Sequence, residues 1–328
     1  MTDQEQARFI HQTCIYGSDE QFLGMALPFV SDGLARGEPV LLATTPANLG
    51  LLGDALGSRA TEVDYAETAY LGRRTAQRVA AFASYWARHR APTPEARVRI
   101  LAEPVWAGRS SKQVAEWQQM ESGLNTVLAD TRIWMICPYD ARTVAPDIIA
   151  TSRRTHPVAV TGRETEACRE FLDPASFVEA STEALPEAPA TAAVYEFGGD
   201  LGGLRQFTRT RADGYGLTGE RADLLVIAVG EVAEYLMQHG SGRATLRMWE
   251  EFEAVVCDVH DPAGRIDDPF LGYRLPGEAA KDTDGLWFVR QICDRVELRS
   301  GDAGCAVRLF APSARAEELA LSGEAFTR

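Results

Sequence analysis

The stretch LLVIAVGEVAEYLMQHG (residues 224–240) decides how the second half of this chain is read, together with AVVCDVHD (Ala254–Asp261) and GLWFVRQICDRVELRS (residues 285–300). The first carries apolar residues at helical spacing, the second is strand-like, and the third passes from a helix into a strand. Working outward, residues 201–212 and 222–239 read as helices and 245–250 and 253–259 as paired strands. Residues 285–293 read as a further helix, and 296–299 with 305–310 as a hairpin around the turn 300–304. The order helix, helix, strand, strand, long loop, helix, strand, strand predicts an α+β sandwich with helices over one sheet face. On the second helix Glu231 and Tyr235 stand one turn apart and share a face.

Upstream, from Arg8 to about Leu172, short β-rich runs alternate with longer helical ones. VLLAT (Val40–Thr44), TEVDY (61–65), RVRIL (97–101) and RIWMIC (132–137) read as strands, and 20–36, 47–56, 72–89 and 111–130 as helices. This rhythm predicts an α/β domain on a mostly parallel sheet, whose ligands collect at the carboxyl ends of the strands. Residues 173–193, DPASFVEASTEALPEAPATAA, are rich in Ala, Pro, Glu, Ser and Thr and read as a linker, with room for a short helix in SFVEASTEAL. The expected domains are therefore 1–172 and 194–328.

A chain of 328 residues with 45% hydrophobic content is ample for two cores. Its formal charge of −14 opposes binding to nucleic acid, whose phosphates demand a basic face. Six scattered cysteines without a CxxC pair read as reduced, buried thiols. The start, MTDQEQARF, has no secretory pattern, and no apolar run approaches the ~20 residues that span a bilayer. A cytoplasmic protein without a membrane contact is expected.

The carboxyl-terminal order, from about Phe197 to Pro312, resembles the ATPase domain shared by DNA gyrase, the large heat-shock chaperone, histidine kinases and the MutL mismatch-repair protein. It is most similar to the anti-sigma kinases of bacterial partner switching. The resemblance implies E-x-x-x-N before His-Gly, a strand ending in Asp-x-Gly, and Gly-x-Gly before Leu-Trp. Here Glu231 is followed by Tyr235 where Asn is implied, before His239-Gly240; Asp261 is followed by Gly264 one position late; and only Gly285 precedes Leu286-Trp287. RIDDP (265–269) matches the anti-sigma branch. By the resemblance Glu231 is the base, Asp261 the acceptor for the adenine amino group, and the start of the last helix the phosphate holder. A phenol is a poor substitute for a magnesium-binding amide oxygen, and Asp282 and Asp284 bring negative charge to the phosphate position. The expectation is that ATP and magnesium bind weakly or not at all. Taken alone, Glu231 is a solvated helix carboxylate, Asp261 a turn residue before Pro262, and Leu286 and Trp287 core residues.

The amino-terminal domain resembles the sensory domain named for methanogen and methylotroph regulators, found fused to this ATPase domain in actinobacterial anti-sigma proteins. The matching pieces are His11 with Tyr16, PFVSDGLARGEPVLLAT (28–44), AEPVWAGRS (102–110), CPYD (137–140) and THP (155–157). The fold implied is RecA-like, yet YGSDE (16–20) after the first strand has neither the glycines nor the lysine of a phosphate loop. Glu103, Trp106 and Arg109 follow one strand and Cys137, Tyr139 and Asp140 another, so both groups are expected at one sheet edge, as a pocket completed by His11, Glu121, Asn125 and His156. Each has a structural alternative: His156-Pro157 starts a turn, and Arg109 pairs with Glu103. His11, Cys137 and His156 invite a metal reading, but they follow no regular ligand spacing and no metal is expected.

Together these resemblances imply an anti-sigma-type regulator that binds a sigma factor, an anti-anti-sigma (STAS) protein, or both, under control of a small-molecule signal. Residues 205–211 and the surface at 231–239 are the candidate docking regions. The alternatives are an active serine/threonine kinase for a STAS partner, with Glu231 as base, and a plain ligand sensor. A conventional sensor histidine kinase is disfavoured, because 173–193 contains no histidine. The oligomeric state, a homodimer included, is left open.

Overall fold

The computed structural model describes residues 9–72, 74–89, 96–182, 185–251, 254–277 and 283–312, and the chain divides into two compact units, Met1–Thr182 and Glu183–Arg328. In the first unit β1 (Ile10–Tyr16), β2 (Val40–Thr44), β3 (Asp64–Glu67), β4 (Val98–Ala102), β5 (Ile133–Asp140), β6 (Val158–Thr161) and β7 (Glu164–Ala167) form one sheet in the order β3-β2-β4-β5-β1-β6-β7. Every neighbouring pair is parallel except the β6–β7 hairpin. Strands β2 and β4 are buried at every residue, as parallel strands covered on both faces must be.

The covering helices are α1 (Asp19–Ala35), α2 (Pro46–Leu56), α3 (Thr75–Arg88), α4 (Ser111–Val127), α5 (Pro146–Thr155) and α6 (Pro174–Ser181). Helices α1 and α2 pack together over Cys14, Tyr16, Leu42, Leu101 and Ile136. Helix α4 packs with α3, α5 and α6. Local chemistry starts these helices: Ser18 accepts from the Gln21 amide to open α1, and Ser110 with Gln113 forms a capping box that opens α4. Because side chains alternate along a strand, β1 turns Cys14 and Tyr16 toward α1 and presents His11 and Thr13 to the α4–α5 side, where Thr13 meets Ser152 of α5.

Three local expectations are corrected. TEVDY is not one strand: residues Gly57–Glu62 wind into a 3-10 turn and β3 begins at Asp64. The strand expected to stop at Cys137 runs on to Asp140, so Cys137, Tyr139 and Asp140 lie within it rather than after it. Pro138 is carried there because it lies past the last pair with β4, Leu101↔Ile136, where one edge of β5 is free. Finally, 173–181 is an anchored helix: Asp173 caps it, Pro174 opens it, and Phe177 is buried beneath Arg154.

In the second unit β8 (Ala193–Phe197), β9 (Ala244–Glu251), β10 (Ala254–Asp261), β11 (Arg295–Gly301) and β12 (Gly304–Pro312) form an antiparallel sheet in the order β11-β12-β10-β9-β8. Helices α7 (Leu201–Gly214), α8 (Glu220–His239) and α9 (Asp284–Ile292) cover one face, with Leu204, Leu225, Val229, Val232, Leu286 and Val289 meeting Leu246, Met248, Val255, Cys257, Val307 and Leu309. The opposite face is closed locally by Ala188 and Ala192, which rest on Trp249, Val256 and Phe310. Arg308 pins the same segment: it donates to the Pro186 carbonyl at 2.9 Å and pairs with buried Asp258 at 2.9 Å. No helix of the described residues is long and apolar enough to cross a membrane.

Candidate functional sites

In the second unit the three motif regions converge around α8. Glu231 lies over the start of α9: a β-carbon at Gly285 would fall 2.1 Å from its Oε2. The carboxylate thus stands against the positive end of the α9 dipole, the position an anion would take. Its pKa is raised, by burial first and by nearby Glu234 second, against the pull of Arg205. Tyr235 is half-buried, its ring 4.6 Å from that of His239 and packed on the core. Leu286 is a core residue. Asp284 accepts from the Gly277 amide at 3.4 Å, and Asp282 lies outside the described residues.

Asp261 is fully enclosed. Oδ2 accepts from the Ser241 amide (2.7 Å), and Oδ1 from the Ser241 hydroxyl (2.7 Å) and the amides of Ala263 and Gly264 (2.9 Å each). Burial alone would push this carboxyl up, but those bonds outweigh it and hold the pKa below the usual carboxylate value. Gly264 is what lets the loop close, since a β-carbon there would sit 2.9 Å from the Asp261 carboxyl carbon and 2.7 Å from Cys305 Sγ. The late glycine therefore serves Asp261 directly. Ser241, which supplies half of the donors, escaped sequence reasoning; its one signal was its place after His239-Gly240.

In the first unit the expected single pocket is split by the sheet. Glu103 and Tyr16 lie on the α1–α2 side: Tyr16 donates to Glu103 Oε1 at 2.9 Å, Asn48 donates to Glu103 Oε2 at 2.9 Å, and Thr44 also donates to Oε2. Glu103 is a structural carboxylate with donors on both oxygens. Thr44 and Asn48 were not singled out from sequence, although both flank the α2 start. Arg109 does not pair with Glu103; it donates to the Val105 carbonyl at 2.6 Å and lies 3.5 Å over the Trp117 ring, and burial lowers its pKa to about 10. Asp140 stands at the rim, where it pairs with Arg142 at 2.8 Å.

The remaining residues gather on the other side. His11 of β1, Glu121 of α4, Cys137 of β5 and His156 at the end of α5 are all buried, and one ligand atom of each lies within 4.8 Å of every other. Cys137 Sγ is 3.5 Å from His11 Nε2, and Glu121 Oε2 is 3.8 Å from His11 Nε2 and 3.5 Å from His156 Nε2. Tyr139 meets His156 edge-on, with Trp106 stacked beyond it.

Outer partners orient both imidazoles. His156 Nδ1 lies 2.8 Å from the Ser152 carbonyl, which can only accept, so the proton is on Nδ1 and Nε2 is a lone pair. Asn125 Nδ2 donates to the carbonyls of Ser122 and Thr155, both at 2.9 Å, which turns its Oδ1 toward His11 Nδ1 at 3.2 Å. His11 Nε2 is thereby a lone pair too. Burial, then neighbouring His156, holds His11 well below the ordinary histidine pKa; burial, then Glu121, holds the Cys137 thiol well above its ordinary value. Glu121 Oε2 and His156 Nε2 have no hydrogen-bond partner. Arg78, wholly buried nearby, spends its terminal nitrogens on Thr68 and the Glu103 carbonyl.

Comparison with known proteins agrees with this architecture. Residues 10–157 match the model of the MEDS family, the methanogen/methylotroph, DcmR sensory domain. Residues 199–310 match the model of the histidine kinase-like ATPase domain. No curated protein matches the chain. The chain thus joins a MEDS domain to a histidine kinase-like ATPase domain, the composition of a regulatory, kinase-like protein.

Proposed function

We propose that this chain is a signal-responsive regulator in which the MEDS domain senses a small ligand or signal and the ATPase-like domain acts by holding a protein partner, in a partner-switching pathway of the anti-sigma type. The partner is a sigma factor, an anti-anti-sigma (STAS) protein, or both. The observation that carries this reading is the state of Asp261. A carboxylate offers roughly four lone-pair sites, and four donors of its own chain already converge on this one, three at Oδ1 and one at Oδ2. An adenine amino group, itself a donor, would have to share Oδ2 with the Ser241 amide on a carboxyl group that is fully buried. Tyr235 in place of an amide and Glu231 at the start of α9 support the same reading, a decayed nucleotide site on a fold kept for its outer surfaces.

A second reading, an active serine/threonine kinase, draws on Glu231. Its raised pKa and its place over α9 suit a general base. Calorimetric titration of the full chain with ATP and magnesium, beside Tyr235→Asn, separates the two. No heat from the unaltered chain is expected, with binding recovered at most in the variant; micromolar binding by the unaltered chain, with label transferred from the γ-phosphate to a STAS protein, overturns the first reading. Co-purification of a sigma factor or a STAS protein without added nucleotide is the expected positive result, and its absence with every such partner tested leaves the plain sensor.

A further inference from the structure

Four buried side chains in the MEDS domain lack a balanced hydrogen-bond scheme. Both imidazole nitrogens that face inward, His11 Nε2 and His156 Nε2, are lone pairs, because their Nδ1 atoms are committed to Asn125 and Ser152. Glu121 as a carboxylate only accepts. One donor, the Cys137 thiol, faces these three acceptors. A bound cation resolves this with each group in the state its outer partners set; hydrogen bonding within the cluster resolves it only by taking up a further proton at His156 Nε2 or Glu121.

The geometry points to the class of cation. We propose that His11, Glu121, Cys137 and His156 form a binding site for one divalent zinc-class metal ion. Ligands roughly 2.0–2.3 Å from a tetrahedral ion lie roughly 3.3–3.8 Å from one another; three of the six separations are 3.5, 3.5 and 3.8 Å, and all six are within 4.8 Å. The donor set of two imidazoles, one thiolate and one carboxylate is the borderline-soft mixture that zinc prefers over magnesium or calcium. Among the four ligands charge closes as well: a thiolate and a carboxylate balance a divalent ion, the thiol proton leaves as the metal binds, and the nearby Arg78 cation is held by the Thr68 hydroxyl and the carbonyls of Thr68 and Glu103. Each histidine has the outer-shell acceptor that metal-bound imidazoles use to hold their orientation. The site ties β1, α4, β5 and the end of α5 together. A bound ion would therefore link the strand edge beside Trp106 and Tyr139 to the helices above it.

The test uses the full chain, stripped with chelator and titrated with cobalt(II) as a spectroscopic substitute for zinc, alongside elemental analysis of the protein as purified. The expected result is one metal per chain and a sulfur-to-cobalt charge-transfer band. That band is lost in Cys137→Ser and kept in Cys14→Ser, a buried thiol on the opposite face of the same sheet. Asn125→Ala, which removes only an outer partner, should weaken metal affinity by about 10–100-fold. Circular dichroism confirms that each variant is folded, and an unfolded Cys137→Ser is replaced by the unaltered chain competed with zinc, which should bleach the band at one equivalent. A folded, unaltered chain that takes up no stoichiometric metal, or a cobalt complex without a sulfur band, overturns the proposal.

Discussion

Asp261 and Glu121 are both buried carboxylates in the candidate sites of their own domains, yet they differ in one respect that decides what each can do. Asp261 is satisfied from within: Ser241, Ala263 and Gly264 close over it with donors on both oxygens, and the conformation is self-sufficient. Glu121 has an oxygen facing two imidazole lone pairs and no donor. An internally bonded carboxylate acts as a structural lock, and an open one among other donor atoms is ready for a cation. In the ATPase-like domain the motif aspartate is bonded by its own loop; the MEDS domain shows no metal pattern in its spacing, yet four side chains of ligating type converge.

This contrast can be broken experimentally, and Asp261→Ala should give the largest effect. It strands several inward-facing donors and should cost about 3 kcal/mol or more of the second unit's stability in urea unfolding. Its acid dependence carries a sign. The folded-state pKa lies below the unfolded one, so this stabilisation is fully present above about pH 4 and is lost as pH falls through the folded value. Asp261→Asn should flatten the acid limb of the stability curve; an unchanged limb would mean that the lock is not closed in solution. Next, zinc at about 100 times its Kd should stabilise the first unit by about 2.7 kcal/mol and leave the second where it was, which differential scanning calorimetry resolves.

A smaller effect is expected at Glu103, the internally bonded carboxylate of the first unit. Glu103→Gln turns an amide donor toward Tyr16 or toward Thr44 and Asn48, at a cost of about 2 kcal/mol. If it costs nothing, internal bonding is not what separates the two carboxylate types. Smallest is Gly285→Ala. Its new methyl meets the mobile end of Glu231, and better helix propensity offsets the crowding, so melting should shift by less than about 1 kcal/mol while Glu231 swings off α9.

The fold was legible where patterns are local. VLLAT became β2 with the bounds expected, and helices at 19–35, 46–56 and 220–239 lie within two residues of their periodic runs. Segments whose burial comes from distant partners were not legible. Residues 185–192 read as polar linker because their apolar content is a few alanines, yet Ala188 and Ala192 find Trp249, Val256 and Phe310 across the sheet. The hairpin at 158–167 and strand β8 are short sheet-edge elements, too brief to show a period. In the MEDS domain the residues singled out do not share one pocket, since alternation along β1 sends Tyr16 and His11 to opposite faces.

Composition, periodicity and short motifs were enough to read two domains, their classes and the departures from the implied motifs at Tyr235, Gly264 and Gly285, because each rests on residues a few positions apart along the chain. Two further facts needed the folded molecule. The closure of Ser241 over Asp261 spans 20 residues, and the meeting of His11, Glu121, Cys137 and His156 joins four elements through the parallel pairing of β1 with β5, which puts Thr13 beside Cys137 and so places His11 and Cys137 on one face. Spacing along the chain carries no record of such a meeting: strand pairing and helix packing set the distance between side chains once the backbone has turned back on itself.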